Sequence, residues 1–191
     1  MYPGERFNSI THLIGTGLAI TGSALLITFA ALDGDPWKIV SFSIFGCMLV
    51  VLYAASTLYH AIRGERAKAV LRRFDHCAIH LLIAGTYTPF TLVTLRGALG
   101  WTLFAAIWAM AIVGIVRAWR NRAGTDPAAW PYLVMGWLGV CAVVPLVSEL
   151  GGAGMLWLAA GGALYSAGVL FYVNDRRWRH AHGIWHLFVM G

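Results

Sequence analysis

The chain has 191 residues, of which 59% are hydrophobic and only 12% are charged, roughly half the charged share of a soluble globular domain. This composition and the mean hydropathy of +0.70 exclude an ordinary water-soluble enzyme. A net charge of +6 would suggest nucleic-acid binding in a soluble protein, but here the basic residues lie between apolar runs. We therefore expect no nucleic-acid partner and interpret these residues as topology signals.

Uncharged runs long enough to cross a bilayer follow one another along the chain. A hydrocarbon core about 30 Å thick needs roughly 20 apolar residues as helix, and six complete runs extend roughly over residues 9–31, 39–62, 76–95, 98–116, 130–148 and 153–173. A seventh begins near His180 and reaches Gly191 after about 12 residues, so either the given chain stops inside a seventh span or that span is short. The pattern predicts an all-α integral membrane protein, a seven-transmembrane helix bundle forming a single domain over residues 1–191.

Lysine and arginine are distributed unevenly between alternate connections. The second, fourth and sixth connections hold 11 of them: Arg63, Arg66, Lys68, Arg72, Arg73, Arg117, Arg120, Arg122, Arg176, Arg177 and Arg179. The first, third and fifth hold 2, Lys38 and Arg96. Because basic residues are retained on the cytoplasmic side, the sequence predicts a cytoplasmic amino terminus in a multi-pass protein surrounded by membrane lipids.

The histidines cluster at one side of the predicted membrane. All seven lie within about two turns of a predicted cytoplasmic helix end: His12, His60, His76, His80, His180, His182 and His186. Asp75 lies there too. Ionisable groups inside apolar helices are costly and usually mark a functional site, so this clustering is the main functional signal of the chain.

Five of these polar residues have the spacing of a metal site. His182 and His186 are four residues apart, which stacks both imidazoles on one helical face. Ser56 and His60 share that spacing at the inner end of the second helix, and we expect Asp75 to open the third helix after the basic connection. Three histidines from two helices with a carboxylate opposite match a catalytic zinc that keeps its fourth position for water.

Other interpretations of the same residues stay open. A single membrane histidine is often only hydrogen-bonded packing, Asp75 could neutralise Arg72 or Arg73, and Ser56 could bond its own helix. Haem ligation between facing helices is an alternative that leaves Ser56 and Asp75 without a role. A zinc metalloprotease helix has the motif H-E-x-x-H, and its Glu is absent between His182 and His186, so the sequence does not indicate a metalloprotease of this kind. The second pair, His76 and His80, is interpreted as an outer-shell or packing feature.

The motifs at these positions resemble the hemolysin III family, the bacterial branch of the progestin and adipoQ receptor group that includes the adiponectin receptors and is related to the alkaline ceramidases. The resemblance rests on Glu5, Asn8 and His12 as E-x-x-N-x-x-x-H, on Ser56 and His60 as S-x-x-x-H followed by Asp75, and on His182 and His186 as H-x-x-x-H. The stretch from Asp75 through LLIAGTYTPF to Phe90 is also similar to that family's third helix.

The resemblance implies a seven-helix protein of the bacterial plasma membrane with a zinc ion near the inner leaflet. Its ligands would be His60, His182 and His186. Asp75 would hold the zinc-bound water, and Ser56 would be an accessory hydroxyl beside a polarised carbonyl. The resemblance assigns no clear role to the polar cluster of the first helix, formed by Glu5, Asn8 and His12.

Four functions follow as hypotheses. The first is a zinc-dependent hydrolase, akin to a ceramidase, that cleaves an amide or ester bond in a membrane lipid. The second is a receptor-like or membrane-homeostasis regulator in which the zinc is structural. A cytolysin is less favoured because the chain is hydrophobic throughout and lacks a secretion signal. A transporter is less favoured because no matching pair of interrupted half-helices is present.

Overall fold

The computed structural model describes residues 1–2, 4–120 and 128–191, which form helices and turns without a β-strand. The helices are α1 Glu5–Asp33, α2 Pro36–Ala61, α3 Glu65–Pro89, α4 Ala98–Arg120, α5 Trp130–Trp137, α6 Val143–Val173 and α7 Ala181–Met190. A π-helical segment, Phe90–Thr94, extends α3, and a 3₁₀ segment, Leu138–Ala142, joins α5 to α6. Arg122, one of the basic residues that indicated the topology, lies outside the described residues.

The outer surface of the helices is apolar. Among the described residues, five stretches are long and apolar enough to cross a membrane: Glu5–Asp33, Pro36–Ala61, Glu65–Thr94, Ala98–Arg120 and Trp130–Val173. Large side chains such as Leu156 and Trp157 are 72% and 80% exposed, and contiguous apolar surface of this kind is stable against lipid rather than water. The prediction of an all-helical, multi-pass membrane protein is therefore confirmed.

The number of candidate spans differs from the seven predicted. The predicted fifth and sixth runs fall into one helical stretch of 44 residues, Trp130–Val173. Gly151 interrupts this stretch with a left-handed, non-helical conformation, φ 63° and ψ −176°. The predicted seventh run forms α7, whose 10 residues amount to about 15 Å of helix and do not reach the length of a span.

The third helix begins earlier than predicted. We expected Asp75 to open it, whereas α3 starts at Glu65 and carries Asp75 in its interior. The segment ERAKAVLRRF between these two residues is rich in good helix formers, and it places an acidic residue in the first turn, where the helix dipole favours it. Hydropathy detects only the membrane-spanning part of a helix, so it missed this polar extension.

The packing of α2 against α1 and α3, and of α7 against α6 and α1, brings the end of α2, the start of α1 and α7 close together. The helix α2 lies between α1 and α3 and shares with them a core of Ala19, Leu52, Tyr53, Ala78 and Leu82. The helix α7 packs on α6 and on the first turns of α1. A side chain at Gly183 would collide with the ring of Phe7, so this glycine permits the close approach of α7 to α1.

Candidate metal centre

Three imidazoles converge where the carboxyl end of α2 meets α7. His60 lies in the last turn of α2, and His182 and His186 lie one turn apart on α7. Their ring centroids are 5.0 Å (His60–His182), 5.2 Å (His60–His186) and 4.8 Å (His182–His186) apart. One potential ligand atom from each lies within 4.8 Å of the others, and no other such group of three occurs among the described residues.

The convergence point has the chemistry of a metal site. His60 and His186 are 3% and 2% exposed, and neither ring nitrogen of His60 has a hydrogen-bond partner. Such unpaired buried nitrogens are unfavourable, and a cation at the convergence point would satisfy one of them. Three nitrogens around a tetrahedral zinc stand about 3.3 Å apart, so modest side-chain adjustment from the observed separations would suit the ion. The residues present therefore fit zinc.

The Nδ1 atom of each imidazole faces an oxygen atom. In His186 it donates to the backbone carbonyl of Asn8 at 3.0 Å and lies 3.1 Å from the Thr11 hydroxyl. In His60 it is 3.8 Å from a carboxylate oxygen of Glu5. In His182 it is 3.4 Å from a carboxylate oxygen of Asp175.

The predicted accessory residues, Ser56 and Asp75, lie beside the three imidazoles. Ser56 precedes His60 by one turn of α2, is 1% exposed, and has no partner that meets hydrogen-bond geometry. Asp75 of α3 is buried and interacts electrostatically with His182, with Arg72 and with the nearby Ser56 hydroxyl. Its carboxylate is not one of the three converging ligand atoms.

The first-helix cluster packs directly around the imidazoles. His12 stacks on His186 with ring centroids 3.6 Å apart and planes 9° apart. Glu5 is held at 2.6 Å by the ammonium group of Lys68, which also donates to the carbonyl of Tyr59 at 3.0 Å. Asn8 contributes its backbone carbonyl, as described above. The cluster whose role the sequence left open therefore contacts two of the three histidines.

Three residues that were not predicted as part of the site also lie against the imidazoles or their neighbours. Thr11, Lys68 and Asp175 each contact an imidazole or the residue beside it. Asp175 had a detectable signal, since it is an acidic residue within an otherwise basic connection. The second histidine pair lies apart: His80 donates from Nδ1 to the His76 carbonyl at 3.1 Å and packs on the ring of Tyr132 at 4.7 Å.

Comparison with known proteins places the chain in a family. The family model described as "Haemolysin-III related" matches residues 2–191. "Hemolysin-3 homolog" of Bacillus subtilis (strain 168) is 48% identical over 188 residues, covering 98% of this chain and 88% of that protein. "Hemolysin-3" of Bacillus cereus is 44% identical, with coverage of 98% and 85%. The human "Monocyte to macrophage differentiation factor" is 32% identical over 190 residues, with coverage of 95% and 76%. The chain therefore belongs to the hemolysin III family.

Proposed function

We propose that this protein is a zinc-dependent hydrolase that cleaves an amide or ester bond of a membrane lipid. The observation that carries the proposal is the convergence of His60, His182 and His186, with potential ligand atoms within 4.8 Å of one another. Three protein ligands leave one tetrahedral position open, as in catalytic zinc sites. Membrane-lipid substrates fit a chain whose outer surface is apolar on most of its helices.

The side chains beside the imidazoles supply the remaining groups that hydrolysis needs. A bound zinc would polarise a carbonyl and lower the pKa of water to about 7. Asp75, a carboxylate outside the ligand set, would accept the proton of the attacking water as general base. The Ser56 hydroxyl has no partner that meets hydrogen-bond geometry and would donate a hydrogen bond to the carbonyl oxygen of the substrate.

A receptor-like regulator with a structural zinc is the second candidate. The stacking of His12 on His186 at 3.6 Å favours it, because it brings a fourth imidazole beside the three that converge, and a structural zinc has four protein ligands. A regulator would bind the same ion through the same three histidines and one further ligand. The two candidates differ in turnover and not in metal content.

The hydrolase is tested by lipid turnover in liposomes. Zinc-loaded protein is expected to hydrolyse at least one long-chain N-acyl or ester lipid of a broad panel, to lose this activity on chelation, and to regain it when zinc is added back. Released fatty acid, measured by mass spectrometry, is the readout. Folded, zinc-loaded protein without turnover on any lipid would contradict the hydrolase and support the regulator.

We also propose seven membrane crossings with a cytoplasmic amino terminus, in the plasma membrane of a bacterium. A straight helix of 44 residues would be about 66 Å long, twice the thickness of a hydrocarbon core. The stretch Trp130–Val173 has this length and is interrupted at Gly151, which supports two crossings there. The helix α7 would lie in the seventh crossing, and the basic connections support the orientation.

Cysteine labelling in intact cells tests this orientation. In a background without Cys47, Cys77 and Cys141, the variant Gly64→Cys is expected to resist an impermeant maleimide, whereas Gly152→Cys is expected to react. Both glycines are exposed, and a side-chain carbon added at either would meet nothing within 4 Å, so neither change should disturb the fold. Labelling of Gly64→Cys from outside would reverse the proposed topology.

A further inference from the structure

The three converging imidazoles share one orientation relative to their surroundings. The Nδ1 atom of each lies near an oxygen of a different segment. In His186 it donates to the Asn8 carbonyl at 3.0 Å, whereas in His182 and His60 it lies 3.4 and 3.8 Å from a carboxylate oxygen of Asp175 and of Glu5, close enough for small side-chain movements to form the bond. An Nδ1–H directed at such an acceptor fixes the neutral tautomer and leaves the lone pair on Nε2, on the far side of the ring. Two of the three oxygens belong to carboxylate groups.

We propose that Glu5 and Asp175 are positioning residues for His60 and His182, and that all three imidazoles present Nε2 to the metal. The inference rests on the zinc site proposed above and extends it to the groups that orient its ligands. Carboxylates and carbonyls that accept from metal-binding histidines hold the ring in place and raise its basicity. The assignment gives Glu5 a function within the first-helix cluster.

Glu5 is the more firmly held of the two carboxylates. One of its oxygens bonds the Lys68 ammonium at 2.6 Å, and the other faces His60. Lys68 is itself fixed by the carbonyl of Tyr59, the residue that precedes His60. The chain Lys68–Glu5–His60 therefore connects the start of α3 through α1 to the end of α2.

Asp175 is held less firmly. It lies in the connection between α6 and α7, and its side chain is 31% exposed, against 21% for Glu5. Water can replace an exposed carboxylate as the hydrogen-bond partner of the His182 Nδ1–H more easily than it can replace a buried one. We therefore expect Asp175 to contribute less to metal affinity than Glu5.

Zinc affinity of the purified, full-length protein in nanodiscs measures both contributions. Glu5→Gln and Asp175→Asn keep the side-chain shape and remove the charge, and chelator competition is expected to show zinc affinity reduced about 10- to 100-fold, more for Glu5→Gln. Glu65→Gln is the matched control, because it removes an exposed carboxylate from the first turn of α3 without a contact to the imidazoles. Its zinc affinity is expected to equal that of the wild type.

The tautomers provide a readout that needs no variant and no activity. Nitrogen NMR of wild-type protein labelled with ¹⁵N-histidine and loaded with zinc is expected to show Nδ1 protonated and Nε2 metal-bound in His60, His182 and His186. Coordination through Nδ1 in any of them, or unchanged zinc affinity in both amide variants, would overturn the inference while leaving the zinc site standing. Wild-type protein that binds no zinc would instead count against the proposed function.

Discussion

Purified protein is expected to bind about one zinc ion per chain, and replacement of His60, His182 or His186 by Ala is expected to abolish this binding. Zinc binding by four-ligand zinc-finger peptides is worth about 10 to 16 kcal/mol, so one ligand accounts for roughly 3 kcal/mol, or a factor of 100 or more in affinity. Elemental analysis after dialysis against a weak chelator measures the stoichiometry.

His80→Ala is the matched control for this experiment. His80 is also a buried membrane histidine, 4% exposed, but it packs on Tyr132 rather than at the convergence point. Its removal is expected to leave zinc binding intact even where stability falls. Full zinc retention in the double variant His182→Ala, His186→Ala would show that the ligand assignment is wrong.

Asp75→Asn is expected to keep zinc bound and to reduce lipid hydrolysis by about 100- to 10,000-fold, the usual contribution of a general base. An amide has nearly the shape of a carboxylate, but it cannot accept the proton of an attacking water. Because the Asp75 carboxylate is not one of the converging ligand atoms, metal content and activity should separate in this variant. Paired measurements of zinc stoichiometry and fatty-acid release check the separation.

Ser56→Ala distinguishes the two side chains that stand beside the imidazoles. The hydroxyl would donate one hydrogen bond to the substrate, so its loss is expected to reduce turnover less than the loss of the base does.

Turnover at the wild-type rate in Asp75→Asn would refute the role of Asp75 as general base, even though the protein would still be a hydrolase. Loss of zinc from Asp75→Asn would mean that this carboxylate stabilises the site itself.

The membrane-spanning helices were predictable because hydropathy reports directly on lipid exposure. The polar start of α3 was not, since the residues from Glu65 to Phe74 are helical without being apolar. The seven-span count stays a prediction, because the fifth and sixth predicted runs lie in one helical stretch that Gly151 interrupts, and composition does not specify the backbone conformation at this glycine.

The histidine group could be predicted from residue spacing and from the positions of the predicted helix ends, whereas the contacts that its partners make could not. Asn8 belongs to the E-x-x-N-x-x-x-H motif through its side chain. The atom that accepts the hydrogen bond from His186, however, is the Asn8 backbone carbonyl oxygen, which any residue could supply. Asp175 and Lys68 act through contacts between different helices and connections. Such contacts depend on how helices pack, and a single sequence carries no periodic signal for them.

The metal centre joins parts of the chain that are synthesised at very different times. Asn8 and His186, bonded in the finished protein, are 178 positions apart. While the ribosome is still translating the middle helices, His60 is the only one of the three histidines already made. A zinc ion that binds through all three histidines would therefore be captured only after α7 has been synthesised and has packed on α1, so metal loading would come late in the assembly of the protein.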